Sequence, residues 1–145
     1  MKPAFRVFRG IGAVTAMFAG ALALGVGTAY AKDVKVMLSG DQENPPVSTA
    51  ASGSGTITVG DDMSISGSVT TSGMTATMAH IHMAAPGKNG PPVVHLTKTS
   101  DGAWTVPAGT KLTSDQYKSF QAGELYVNVH SDAHEKGELR GQIKP

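Results

Sequence analysis

His80 and His82 stand two residues apart in the run Met78-Ala79-His80-Ile81-His82-Met83, and His130 ends the run Leu125-Tyr126-Val127-Asn128-Val129-His130. Both runs alternate small or apolar residues with more polar ones at the period of a β-strand, so each strand aims its imidazoles from one face. Positions i and i+2 lie roughly 6.5 Å apart along a strand. Imidazole nitrogens bind metals at about 2.0–2.1 Å, so His80 and His82 can lean onto one ion. A neighbouring strand carrying His130 supplies a third nitrogen, with all three expected within about 4 Å of one another. Three neutral donors leave a coordination position open. The sequence offers Met78, which shares strand parity with His80 and His82, and His134, in the charged turn that follows His130, as additions. A nitrogen or nitrogen–thioether donor set binds copper ahead of other divalent first-row ions, with zinc as the alternative. Because imidazole binds only when unprotonated, affinity is expected to fall as the pH drops through about 6.5.

The other candidates read more plainly. His95, in Val93-Val94-His95-Leu96, reads as a structural histidine, with a role as fourth ligand left open. Met74 is ambiguous between packing and ligation, and strand methionines are commonly core filler. Asp61-Asp62 and Asp101-Gly102 fall in turns, where Asp bonds its own backbone. No Ser/His/Asp arrangement and no carboxylate pair stands out. Blue-copper chemistry needs a thiolate, and the chain has no Cys.

The elements that must position these histidines are short strands punctuated by glycine. Residues 34–38, 55–59, 64–69, 75–83, 93–96, 103–106, 125–130 and 138–143 have strand character, with turn chemistry at Ser39-Gly40, 60–62, 86–92 and Asp101-Gly102. About eight antiparallel strands make an all-β Greek-key sandwich or barrel. Ile81, Val127 and Val129 should face inward, and Trp104 should be at least partly buried. The Ser/Thr/Ala/Gly-rich stretch 48–56 reads as a loop. One segment departs from the pattern: Thr113-Ser114-Asp115-Gln116 is a capping box, Leu112 and Tyr117 stand at staple positions, and Gly123 lies where a helix ends. A short helix is expected there, with Tyr117 and Phe120 as packing residues.

Residues 1–31 have the form of a secretory signal peptide. Lys2, Arg6 and Arg9 precede the uncharged stretch 11–27, and Ala29-Tyr30-Ala31 supplies a small-x-small cleavage site. Cleavage after Ala31 leaves residues 32–145, one domain with chain enough for a core, in the periplasm or outside the cell with no further membrane span. That portion holds 9 basic and 11 acidic residues with no basic stripe, which argues against nucleic acid as a partner. Without disulfides an exported fold must rest on packing, and a metal site must use His, Met or carboxylate.

Three stretches resemble the CHRD domain: Leu38-Ser39-Gly40-Asp41-Gln42-Glu43-Asn44-Pro45-Pro46; Ala79-His80-Ile81-His82 followed by Gly87-Lys88-Asn89-Gly90-Pro91-Pro92-Val93-Val94; and Gly123-Glu124-Leu125-Tyr126-Val127-Asn128-Val129-His130 closing on Gly137-Glu138-Leu139-Arg140-Gly141-Gln142-Ile143. That domain, named for chordin, an extracellular growth-factor antagonist, is widespread in exported bacterial proteins, and the resemblance implies an extracytoplasmic β domain. The usual turn after the second-strand histidine is replaced here by Ser131-Asp132-Ala133-His134-Glu135-Lys136. A fainter resemblance is to Cu,Zn superoxide dismutase, in which a His-x-His and a late-strand histidine bind copper. His80, His82 and His130 stand at comparable places, but the bridging histidine, zinc loop and disulfide have no counterpart, and Arg140 is not where the enzyme's anion-guiding arginine lies. Three classes follow: an exported metal-binding protein, with copper the expected metal; a non-catalytic interaction or matrix module acting on another exported protein; and a dismutase-like redox enzyme.

Overall fold

The computed structural model describes residues 30–145; all but the last two residues of the leader-like segment lie outside the described residues. Among the described residues, nine strands form two antiparallel sheets. They are β1 (Ala31–Leu38), β2 (Ser52–Gly60), β3 (Ile65–Ser72), β4 (Ala76–Met83), β5 (Pro92–His95), β6 (Thr97–Ser100), β7 (Ala103–Thr105), β8 (Leu125–Ser131) and β9 (Leu139–Ile143), with one helix, α1 (Ser114–Gln121), before β8. One sheet has the order β1-β2-β3-β7-β6 and the other β5-β4-β8-β9. The neighbours β3–β7 and β4–β8 are the non-sequential pairs that a Greek-key crossover makes. The result is a sandwich, not a closed barrel. At one side the sheets meet through paired backbone bonds between Ser39 and Arg140. At the other the chain passes from β5 to β6 at Leu96, whose N–H still bonds Ala79 of β4.

The core follows the period-two pattern. Val34, Val36 and Leu38 of β1, Ile57 and Val59 of β2, Ile65 and Val69 of β3, and Ala79 and Ile81 of β4 face the inner layer. They meet Leu125, Val127, Val129, Leu139 and Ile143 of β8 and β9. Ile81, Val127 and Val129 are fully buried, and Trp104 is 4% exposed, so the inward set read from the sequence holds. Two expectations are corrected. Residues 52–56 belong to β2, because they pair with β3 from Ser52 opposite Ser72 onward; an alternation of small residues gave no hydrophobic signal. β6, Thr-Lys-Thr-Ser, is an exposed edge strand without an apolar face, so it carries no period to read.

Helix α1 forms as its capping box dictates: the Gln116 N–H donates to the Thr113 hydroxyl, and the Thr113 N–H donates to the Gln116 side chain. Gly123, with φ +73°, ends it in the left-handed conformation glycine adopts without strain. Phe120 is buried and Tyr117 packs partly against the core. Among the described residues no helix is long and apolar enough to cross a membrane.

Candidate metal centre

The outer face of the four-stranded sheet is the unusual part of the molecule. An antiparallel sheet commonly leaves one face to water, yet every residue of β8 and β9 is buried. The outward-pointing side chains are polar: Tyr126, Asn128 and His130 from β8, Arg140 and Gln142 from β9. Loops roof them. Arg140, 1% exposed, donates from Nη1 to the Lys88 carbonyl (2.7 Å) and from Nη2 to the Ala85 carbonyl (3.0 Å) and Gln142 Oε1 (2.9 Å). The Gln142 amide donates to the Ala84 and Gly123 carbonyls. Asn128 donates to buried Glu43, whose carboxyl is held above its ordinary pKa by burial, against the opposing effect of the Asn128 hydrogen bond. Asn89 Nδ2 ties the two roofing loops together by donating to the Asn44 carbonyl (2.7 Å).

At the β4 side of this layer the three histidines converge. His80 is opposite Asn128, His82 opposite Tyr126 and Met78 opposite His130 in the β4–β8 register. One donor nitrogen from each of His80, His82 and His130 lies within 4.8 Å of the others, and His80 Nδ1 is 3.1 Å from His130 Nε2. Two nitrogens bound to one ion are separated by about 4.2 Å at most. The widest pair must therefore close by no more than about 0.6 Å, a small side-chain rotation.

Hydrogen bonds fix which nitrogen each ring presents. His82 Nδ1 lies 2.8 Å from the Gly90 carbonyl, and His130 Nδ1 lies 2.9 Å from the Glu135 carbonyl. A carbonyl only accepts, so both Nδ1 atoms carry the proton and both Nε2 atoms keep a lone pair. This is the arrangement in which an outer carbonyl orients a metal-binding histidine. His82 Nε2 is buried with no hydrogen-bond partner, an unsatisfied acceptor that costs stability unless something occupies its lone pair. His130 Nε2 accepts from His80 Nδ1–H. For His80 to offer a lone pair there, its proton must move from Nδ1 to Nε2, a change of tautomer without change of charge.

Gly90 is a residue the sequence did not single out. Its carbonyl holds His82, while its N–H donates to the Tyr126 hydroxyl (3.2 Å). The Tyr126 ring stacks on His82 (centroids 5.1 Å apart, planes 16° apart) and carries the Arg140 guanidinium 3.6 Å above its centroid. A Cβ at position 90 would lie 1.8 Å from the Met83 carbonyl oxygen. Gly90→Ala should therefore displace the loop, destabilise the fold by about 1–3 kcal/mol as overpacking does, and free the His82 ring. Denaturant unfolding, with the His82 proton resonances read by NMR, checks both effects.

The other expected ligands are placed differently. Met78 shares the outer face and is 50% exposed, next to the cluster as His130's cross-strand partner. His134 lies outside the group of mutually reachable donors; it lines a separate cleft with Glu43, Asn44, Asp132 and Lys136. The turn that bears it contributes a backbone atom instead, the Glu135 carbonyl that orients His130. His95 is exposed, its ring 4.7 Å from that of His80. Met74 packs partly against the core. Arg140, with its guanidinium on main-chain carbonyls, is a structural residue.

Burial, and then the neighbouring imidazoles of His130, His95 and His82, push the His80 pKa from 6.5 down to about 4. Burial also lowers that of His82, partly opposed by the hydrogen bond to Gly90. The expected pH dependence therefore moves to the acid side. Protons displace a metal only where they bind, so proton competition at His80 should set in as the pH approaches 4 and not near 6.5. Folding carries the same sign: the unfolded chain protonates His80 near 6.5 and the folded chain near 4, so this histidine's contribution is present above 6.5 and lost as pH falls through that window. Competition titrations and urea melts across pH 7 to 4 would read the two effects.

A β-sandwich with a roofed polar face and an imidazole cluster at its rim places the chain among small all-β domains that hold their polar site outside the core. More narrowly, the CHRD domain family model matches residues 34–143, and the chain belongs to that family. No curated protein and no solved structure matches it.

Proposed function

We propose that this chain is an exported copper-binding protein, with His80, His82 and His130 as the ligands. The observation that carries the reading is the buried, unpartnered Nε2 of His82, on a ring that has a donor nitrogen within 4.8 Å of donors of His80 and His130. Three nitrogens, with Met78 opposite His130 on the neighbouring strand, suit cupric and cuprous copper better than other first-row ions, and zinc is the competitor. When bound, copper would supply a Lewis-acidic or redox-active centre; the protein supplies orientation through Gly90 and Glu135 and excludes water from one side. Export rests on the leader-like features of residues 1–31, and places the protein in the periplasm or beyond.

The test is elemental analysis of the native exported protein, followed by titration of the metal-free chain with Cu(II), Cu(I) and Zn(II). One copper per chain, bound more tightly than zinc, supports the reading; no bound metal removes it. Membership of the CHRD family favours, as a second reading, a non-catalytic interaction module, which would then stand. Nothing in the site argues for dismutase turnover: Arg140, the one arginine near it among the described residues, is engaged by Ala85, Lys88 and Gln142.

A further inference from the structure

One more imidazole belongs to this patch. His95 lies on β5, the edge strand of its sheet, and is the direct cross-strand partner of His80. Their rings meet edge to face, planes at 89° and centroids 4.7 Å apart. From the edge inward, the histidines run from exposed His95, through partly buried His80, to His130 at 6% exposure. The centroid steps are 4.7 Å and then 5.0 Å. His95 is outside the group whose nitrogens can share one ion. His80 joins the two environments: Nδ1 is engaged with His130, and Nε2 makes no hydrogen bond among the described residues.

A hydrated ion reaching the buried donors must exchange its waters stepwise, since losing them together is costly. An exposed imidazole beside the outermost ligand offers a foothold during that exchange. We propose that His95 is the port through which copper enters and leaves the His80–His82–His130 site, sharing the ion with His80 only in transit. The inference rests on the copper reading above and adds to it a route and a kinetic role.

A group that touches the ion only on the way changes the barrier from both sides and leaves the end states alone. His95→Ala should thus slow both uptake of Cu(II) by the metal-free protein and its removal by excess EDTA, by about tenfold each, for a lost transition-state contact of about 1.4 kcal/mol. Stoichiometry, affinity and the electron paramagnetic resonance spectrum of the loaded protein should match wild type. Unchanged rates would overturn the port. So would weakened equilibrium binding with an altered spectrum, which makes His95 a standing ligand. Wild-type protein that takes up no copper defeats the site itself and the port with it, whereas normal wild-type binding with wild-type rates in His95→Ala defeats the port alone.

Discussion

On the copper reading proposed above, replacing His80 and His82 together by Ala should remove copper binding and leave the fold in place. The magnitude follows from the ligand count. Structural zinc sites with four ligands are worth about 10–16 kcal/mol, roughly 3 kcal/mol per ligand. Losing two of three donors therefore weakens binding by about ten-thousandfold, at 1.4 kcal/mol per factor of ten. The fold survives because both side chains lie outside the core cluster, which is built from Ala79 and Ile81 on the opposite face of the same strand. The stability cost comes from the His82–Gly90 and His80–His130 hydrogen bonds and the stacking on Tyr126, about 2–4 kcal/mol together. It is partly offset by removing the unsatisfied His82 Nε2. Isothermal titration with copper and a urea melt measure the two outcomes. A double variant that still binds one copper per chain with wild-type affinity would transfer the argument to the interaction-module reading.

The histidine cluster was legible because a strand's two-residue period is local: once 78–83 and 125–130 are strands, the faces of Ile81, Val127, His80 and His82 follow, and only the pairing of β4 with β8 needed the structure. The capping box of α1 was legible for the same reason. What covers a face is not local. Arg140 and Gln142 alternate with Leu139, Gly141 and Ile143 as a half-solvated strand would, and nothing in that alternation announces that residues 84–90 fold back over them across 52 and 55 positions of sequence. Gly90 was hidden likewise: its role is carried by its backbone and by the space its missing side chain leaves. His95, on a short apolar strand of its own, reads as structural or as a spare ligand, while its contact with His80 lies across the ladder and is not local. His134 drew notice as an imidazole, yet its turn acts through the carbonyl of Glu135.

Arg140→Ala should be the most destabilising single substitution in the polar layer. The guanidinium is buried and bonded to two main-chain carbonyls and to Gln142, and it lies on the Tyr126 ring. Truncation leaves the Ala85 and Lys88 carbonyls and Gln142 Oε1 without these donors and opens a void beside Tyr126. Leaving buried acceptors unpaired costs about 1–3 kcal/mol each, together a large share of the roughly 5–15 kcal/mol that holds a domain together. Arg140→Lys should recover only part of this, since an ammonium cannot span the fork between Ala85, Lys88 and Gln142. The loss should also travel to the histidines: the loop that Arg140 anchors carries Gly90, which fixes His82 Nδ1, and loosening an orienting group of this kind costs about 10–100-fold in metal affinity. Urea unfolding gives the stability change, limited proteolysis across residues 84–92 reports the freed loop, and copper titration gives the affinity. A variant that loses stability without loosening the loop or weakening copper would show that His82 is oriented independently of the roof.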